Sequence, residues 1–329
     1  MSIIIVTEKP TIARLLAPYA RAHWPNEHLI VLSAMPYGNF TFSYPRGLSF
    51  QDYPRLAEPV IKMAPWSKWN PRLIDENGDL HPCAMTDAIL QDAESVVCAC
   101  DPDHTGAIAF ATLVEQHFGA VDAREFPALV LNSVDAVSIQ MAFASIGVFK
   151  DVFQKALGYG RVKRYFDWNW NANALAILGA TTRSAGVATD APPLSKYSLQ
   201  VLYLLDDSPL GFNINDLIGK MEHWVGTGKH AGRVSLGSPA SYVLILKNLE
   251  SAGLITPVIG DAKRTPFQIT TLGRSLLARL HKDCRDVDLP FRLNAWGSLG
   301  LAAAKESIDR YILTVFGKQS RFGKNTLMA

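Results

Sequence analysis

Short apolar runs and stretches of helical period alternate along the first part of the chain. Ile3 to Val6, Leu29 to Ser33, Val96 to Cys100 and Ala128 to Leu131 read as strands, and Thr11 to Leu16 and Thr105 to Phe118 read as helices. That alternation is the βαβ signature of a parallel sheet flanked by helices. Between the second and third strands, Pro36 to Pro82 is rich in proline, glycine and aromatic residues and reads as an irregular excursion with edge strands. Trp66 and Trp69 in it are expected to pack over the sheet edge, with base stacking as the other reading. From Val134 onward helical patterns dominate, broken at Ala191-Pro192-Pro193. The pattern predicts an α/β domain over 1–132 and a mainly helical domain over 133–329.

Within the second part, about 208–285 carries the pattern of a winged helix. Asn213 opens a helix containing Leu217, Ile218 and Met221, and Ser238-Pro239 caps another with Tyr242, Leu244, Ile245 and Leu249, stopping at Gly253. Two strands follow, Leu254 to Ile259 and Pro266 to Thr270, and the turn between them holds Lys263 and Arg264. Those two cations would meet backbone phosphate, while the Pro239 helix would offer Ser241 or Lys247 to DNA. Winged helices also serve as protein contacts, so a protein partner stays open.

The chemistry gathers at two strand ends. Thr7-Glu8-Lys9-Pro10 follows the first strand and Asp101-Pro102-Asp103-His104-Thr105-Gly106 follows the third. In a parallel sheet both loops fall at the carboxyl edge, where ligands bind. Glu8, Asp101 and Asp103 can then meet and seat a hard cation, Mg2+ or Mn2+, which takes carboxylates and water. Lys9 would pair with Glu8 or contact DNA, and His104 would donate to a phosphate when protonated. Taken singly, Glu8 reads as an acid near a helix N-terminus and Asp103 as a helix cap.

A strand ending in Glu-Lys-Pro paired with a later strand ending in Asp-x-Asp resembles the TOPRIM domain of type IA topoisomerases, primases and some nucleases. Further motifs follow in the order of topoisomerase III-like enzymes. Ser133 to Phe143 resembles the entry to their helical DNA-binding domain, and Arg161, Lys163 and Arg164 with Asp167-Trp168 and Asn173 resemble its Arg, Asp-Trp and Asn pattern. Ser195 and Gln200 match two positions of a Ser-x-Gly-Arg-x-Gln stretch that grips single strands in that family, with Ser198 in place of its arginine. Leu236 to Ser241 and Thr271 to Leu277 resemble the closing segments.

The resemblance implies single-stranded or locally unwound DNA as partner, Mg2+ or Mn2+ as cofactor, and Glu8, Lys9, Asp101, Asp103 and His104 as the reacting centre. It also exposes a gap. The span between Gln200 and Gly237 is too short for the gate domain found there in the family, and no Arg-Thr-Asp or Arg-Ser-Asp tripeptide precedes a tyrosine. Tyr197, Tyr203 and Tyr242 lie in apolar helical patterns. His104, Thr105 and Ala107 replace an arginine and two glutamates of the family's acidic motif, weakening its hold on a cation.

Three readings follow: a topoisomerase-like DNA-binding core that does not pass strands unaided; a metal-dependent TOPRIM nuclease serving a mobile element or defence system; and a module without chemistry.

Composition refines this little. At 329 residues there is material for two cores, and the net charge of +2 makes no case for nucleic acid by itself. Basic residues nevertheless collect in the second half, at Lys229-His230 with Arg233 and at Lys318, Arg321 and Lys324, whereas acids concentrate in the first. The cysteines, Cys83, Cys98, Cys100 and Cys284, lack zinc-like spacing and read as packing residues in a reducing compartment. No apolar run is long enough to span a bilayer, so the expectation is a cytoplasmic protein without a membrane partner.

Overall fold

The computed structural model describes residues 2–33, 40–45, 50–63, 72–75, 77–83, 86–230, 233–256 and 266–328. The chain divides into two compact units, Met1–Ser43 with Val60–Val162 and Tyr44–Pro59 with Lys163–Ala329.

The first unit is α/β. Its elements run β1 (Ser2–Thr7), α1 (Pro10–His23), β2 (His28–Ser33), β3 (Phe40–Phe42), β4 (Ile61–Met63), β5 (Arg72–Ile74), β6 (Leu80–Pro82), α2 (Thr86–Gln91), β7 (Ser95–Cys98), α3 (His104–Phe118), β8 (Pro127–Ala128), α4 (Ala136–Ala144), β9 (Gly147–Val148), α5 (Phe149–Val152) and α6 (Gln154–Asn173), whose later residues belong to the second unit. The main sheet has the order β6-β5-β2-β1-β7-β8-β9. β2, β1, β7 and β8 are parallel, and β5, β6 and β9 add antiparallel edges. The excursion thus lengthens one side of the sheet, while β3 and β4 form a separate two-stranded antiparallel sheet. Trp66 and Trp69 lie outside the described residues.

Alternation along the strands sorts the core onto both faces. Ile4, Val6, Val96 and Cys98 pack with Phe110, Leu113 and Val114 of α3, and Ile3, Ile5 and Val97 pack with Ala13, Leu16, Ala17 and Ala20 of α1. The α1 residues recur with helical period, and Pro10 starts that helix where its missing N–H costs nothing. Each fully buried isoleucine contributes about 1.5–3 kcal/mol. Cys83, Cys98 and Cys100 belong to the α3-side core and Cys284 is buried in the second unit; all four are free thiols.

The second unit is helical. A π-turn at Ala174–Leu178 links α6 to α7 (Gly179–Ala185), which ends on left-handed Gly186. Next come α8 (Lys196–Asp206), α9 (Ile214–Glu222), α10 (Pro239–Ser251), α11 (Thr271–Ala278), α12 (Leu289–Leu299) and α13 (Leu301–Met328). Side chains cap several starts: Ser195 accepts from Ser198 N–H, Asn213 from Asp216 N–H and Thr270 from Gly273 N–H. Ser238 and Ser241 form a capping box ahead of α10. After Gly253, Ile255 and Ile269 form an antiparallel bridge, as do Phe212 and Phe267. Leu217, Met221, Tyr242, Ile245, Leu249, Leu254, Phe267 and Leu276 are buried, whereas Val243 and Leu244 of α10 are exposed. No helix among the described residues is long and apolar enough to cross a membrane.

Candidate acidic site and nucleic-acid surfaces

Because β1 and β7 are parallel neighbours, with Val6 opposite Cys98, the loops that leave them emerge side by side. Glu8 Oε1 accepts the Asp101 N–H at 3.0 Å, tying the two loops together. Lys9 Nζ donates to Asp101 Oδ2 at 2.6 Å. Asp103 caps α3, with Oδ1 accepting from Thr105 N–H at 2.8 Å and Gly106 N–H at 2.9 Å. The cap reading of Asp103 therefore holds. His104 is the first residue of α3, its ring 5.1 Å from that of Tyr159.

Gly106 makes the approach of these loops sterically feasible. A Cβ there would stand 2.2 Å from the Asp101 carbonyl oxygen and 2.4 Å from Glu8 Oε1. Its backbone needs no left-handed angle; the requirement is space. This residue closes the quoted motif, yet nothing in the motif alone reveals how tightly it fits.

Glu8 is only 7% exposed. Burial, and then the negative charge of Asp101, push its carboxyl up from 4.5 to about 7, against the pull of the Asp101 N–H; Asp103 raises it further and Lys9 lowers it. Lys9 in turn is held above the usual lysine value, chiefly by its hydrogen bond to Asp101. Glu8, Asp101 and Asp103 thus act on this edge together with the single ammonium of Lys9. The donors are hard oxygens suited to Mg2+ or Mn2+. Among the described residues, no three Asp, Glu, His or Cys side chains already stand in ligating geometry, since Asp101 is turned to Lys9 and Asp103 to its helix.

The other sequence-derived residues are scattered. Arg161 pairs with Glu115 at 3.3 Å and Asp122 at 3.1 Å within the first unit, so its charge is met by acids. Lys163 and Lys196 both bind Asp167, at 2.6 and 2.5 Å. Burial works to raise Asp167, but the two lysines outweigh it and hold the carboxyl at about 2. Arg164 is half-buried on the same helix. Lys247 is exposed on α10, beside Val243 and Leu244. Lys263 and Arg264 lie outside the described residues.

Asn173 and Gln200, read as DNA-strand contacts, are enclosed by polypeptide, and so is Trp168, for which packing is the favoured reading over base stacking. Trp168 is buried and stacks on Tyr44, ring centroids 5.9 Å apart. Asn173 is fully buried, with its amide bonded to both backbone groups of Arg55. Gln200 is buried and donates to the Cys284 carbonyl at 3.2 Å, and its Oε1 has no hydrogen-bond partner. It lines a cavity of about 670 Å3 with Tyr203, Lys220, His223, Trp224 and Arg285.

The sequence places Asn169 in a cluster with Trp168, Trp170, Asn171 and Asn173 but gives it no role of its own. This residue repeats one turn earlier the contacts that Asn173 makes, now with Ala57. The spacing of four was the available signal.

No protein-family model matches the chain, and a search of curated proteins returns no match.

Proposed function

We infer that the chain is a DNA-binding protein whose α/β unit is a TOPRIM domain and whose helical unit is a topoisomerase-like core containing a winged helix, without autonomous strand passage. The observation that carries this reading is the convergence of Glu8 and Asp101 from adjacent parallel strands, with Asp103 at the same edge and Gly106 leaving the space for it. Glu8 and Asp101, with the second oxygen of Asp103, would hold a Mg2+ or Mn2+ ion. Such an ion, when bound, supplies charge for phosphate and polarises a phosphoryl oxygen. The protein's own groups do the rest. Lys9 offers a cation to a phosphate at the mouth of the site, and Glu8, whose buried carboxyl stands near 7 without the ion, would give up its proton on taking the ion. Helices α9 and α10 with the paired segments around Ile255 and Ile269 support the winged-helix reading.

The second reading is the metal-dependent nuclease, in which water is the nucleophile; of the three tyrosines named above, Tyr242 has its hydroxyl buried. Supercoiled, linear and single-stranded DNA incubated with the protein and Mg2+ or Mn2+ separates the readings. Binding without a change in topology supports the main one, and nicks or degradation support the nuclease. Relaxation of supercoils refutes the exclusion of strand passage. Any metal-dependent product disappears in the Asp101→Ala, Asp103→Ala double variant. If none of these DNAs is bound, the nucleic-acid reading fails.

A further inference from the structure

Asn169 and Asn173 are one turn apart on α6, and both are 0% exposed. Each amide grips one residue of the segment Tyr53–Pro59 by both backbone groups. Asn173 Oδ1 accepts Arg55 N–H at 2.8 Å and its Nδ2 donates to Arg55 C=O at 2.7 Å. Asn169 does the same with Ala57, at 3.0 Å in both directions. Positions 55 and 57 are spaced by two, so an extended chain turns the same edge to the helix at both rungs. The second amide hydrogen of each asparagine is tied to the carbonyl one turn back, Tyr165 O for Asn169 and Asn169 O for Asn173. The helix thereby fixes both amides in orientation before anything docks.

This clamp reads backbone alone. In this strap segment, Arg55 and Glu58 add little: both are exposed, and the ion pair of Glu58 with Lys305 spans 3.4 Å at the surface. Beside the clamp, Tyr44 lies on Trp168 with an interplanar angle of 22°, its hydroxyl accepting from Asn171 Nδ2 at 3.1 Å. A strand of donor–acceptor edges with a ring stacked on tryptophan is what a single-stranded nucleic acid would also present. The adenine edge, for one, offers an N–H donor beside an acceptor and pairs with an asparagine amide in the same bidentate manner. Base stacking on an aromatic ring is indifferent to sequence, as the clamp is.

We propose that Tyr53–Pro59, with Tyr44, is an internal mimic of single-stranded nucleic acid that occupies the Asn169–Asn173 strip of α6 and must leave before a strand can bind there. The inference rests on the DNA-binding reading above and adds an autoinhibitory contact to it. Its test uses the full chain, a short fluorescein-labelled oligodeoxyadenylate and hydrogen exchange at the Arg55 and Ala57 amides. Ala57→Pro removes one rung's donor while keeping the chain extended, which loosens the strap without touching α6. Expected are oligonucleotide binding about fivefold tighter in Ala57→Pro, from the loss of one ordinary hydrogen bond, and faster exchange at Arg55 and Ala57 when the wild type is saturated with the oligonucleotide. Asn173→Ala frees the strap as well but removes a rung for the base, so it binds more weakly than Ala57→Pro.

Equal affinity in wild type and Ala57→Pro, with the Arg55 and Ala57 amides still protected in the wild-type complex, overturns the mimic and leaves DNA binding intact. No binding by either protein, with the strap shown by exchange to be released in Ala57→Pro, overturns the nucleic-acid reading and the mimic with it.

Discussion

Replacing Glu8 by glutamine isolates the electrostatic cost stored at the acidic edge. Glutamine keeps an oxygen for the Asp101 N–H and removes the charge that burial and Asp101 oppose. In the folded protein the Glu8 carboxyl stands at about 7, against 4.5 for an ordinary glutamate. Between those values the folded state holds more protons than the unfolded one, so wild-type stability falls as pH rises through this window and levels off above it. At 1.36 kcal/mol per pKa unit the shift corresponds to about 3 kcal/mol, reduced to about 2–3 by solvent at the open side of the site. In EDTA, Glu8→Gln is therefore expected to match the wild type near pH 4.5 and to exceed it by about 2–3 kcal/mol at pH 8. Thermal unfolding would register this as a rise in Tm of roughly 5 °C. Parallel melts across that pH range, with an NMR titration of the Glu8 carboxyl, provide the measurement. A stability difference that does not change with pH, or a less stable variant at pH 8, refutes the account of Glu8 as a buried, like-charge-crowded acid.

Three further outcomes follow from the geometry. Gly106→Ala forces its methyl against the Asp101 carbonyl and Glu8 Oε1, so denaturant unfolding should show a loss of about 1–3 kcal/mol and NMR a displaced Glu8 titration. Lys9→Met removes the one cation that lowers the Glu8 carboxyl, which should then titrate above its wild-type value in the same NMR experiment. Asp167→Ala strands Lys196, a lysine only 8% exposed, and should cost about 3–5 kcal/mol in urea unfolding. Since Asp167 is held near 2 when folded, its stabilisation is present above about pH 4 and should vanish in the wild type as pH falls through 2.

The central sheet was legible because its strands are apolar on both faces and its first helix repeats alanine and leucine at helical spacing; local pattern and burial point the same way at Ile3 to Val6 and at Ala13 to Ala20. The meeting of Glu8 with Asp101 was legible for a related reason, since parallel neighbours deliver their following loops to one edge. Register and tightness were not. That β8 is only two residues long, that Asp101 is turned to Lys9, and that Gly106 has no room for a methyl group depend on how loops pack after the strands have paired. Composition says nothing about such fits.

The strap was illegible for a different reason. A clamp made of asparagine amides and main-chain groups imposes almost no demand on the sequence it holds, beyond the absence of proline at the two donating positions. Arg55 and Ala57 carry no pattern that a reader of side chains could detect, and a span rich in proline and aromatics reads as irregular whether or not it is gripped. On the helix side the signal exists, because two asparagines one turn apart must share a face. Polar amides on the inner face of a helix require partners, and a lone Asn173 assigned to DNA satisfies that requirement just as well as one assigned to a strap. Only the second asparagine, Asn169, bonded to Ala57 in the way that Asn173 is bonded to Arg55, separates a repeating main-chain clamp from a single ligand contact. The same repetition is what would let a nucleic acid strand replace the strap, since each rung asks its occupant only for a donor beside an acceptor.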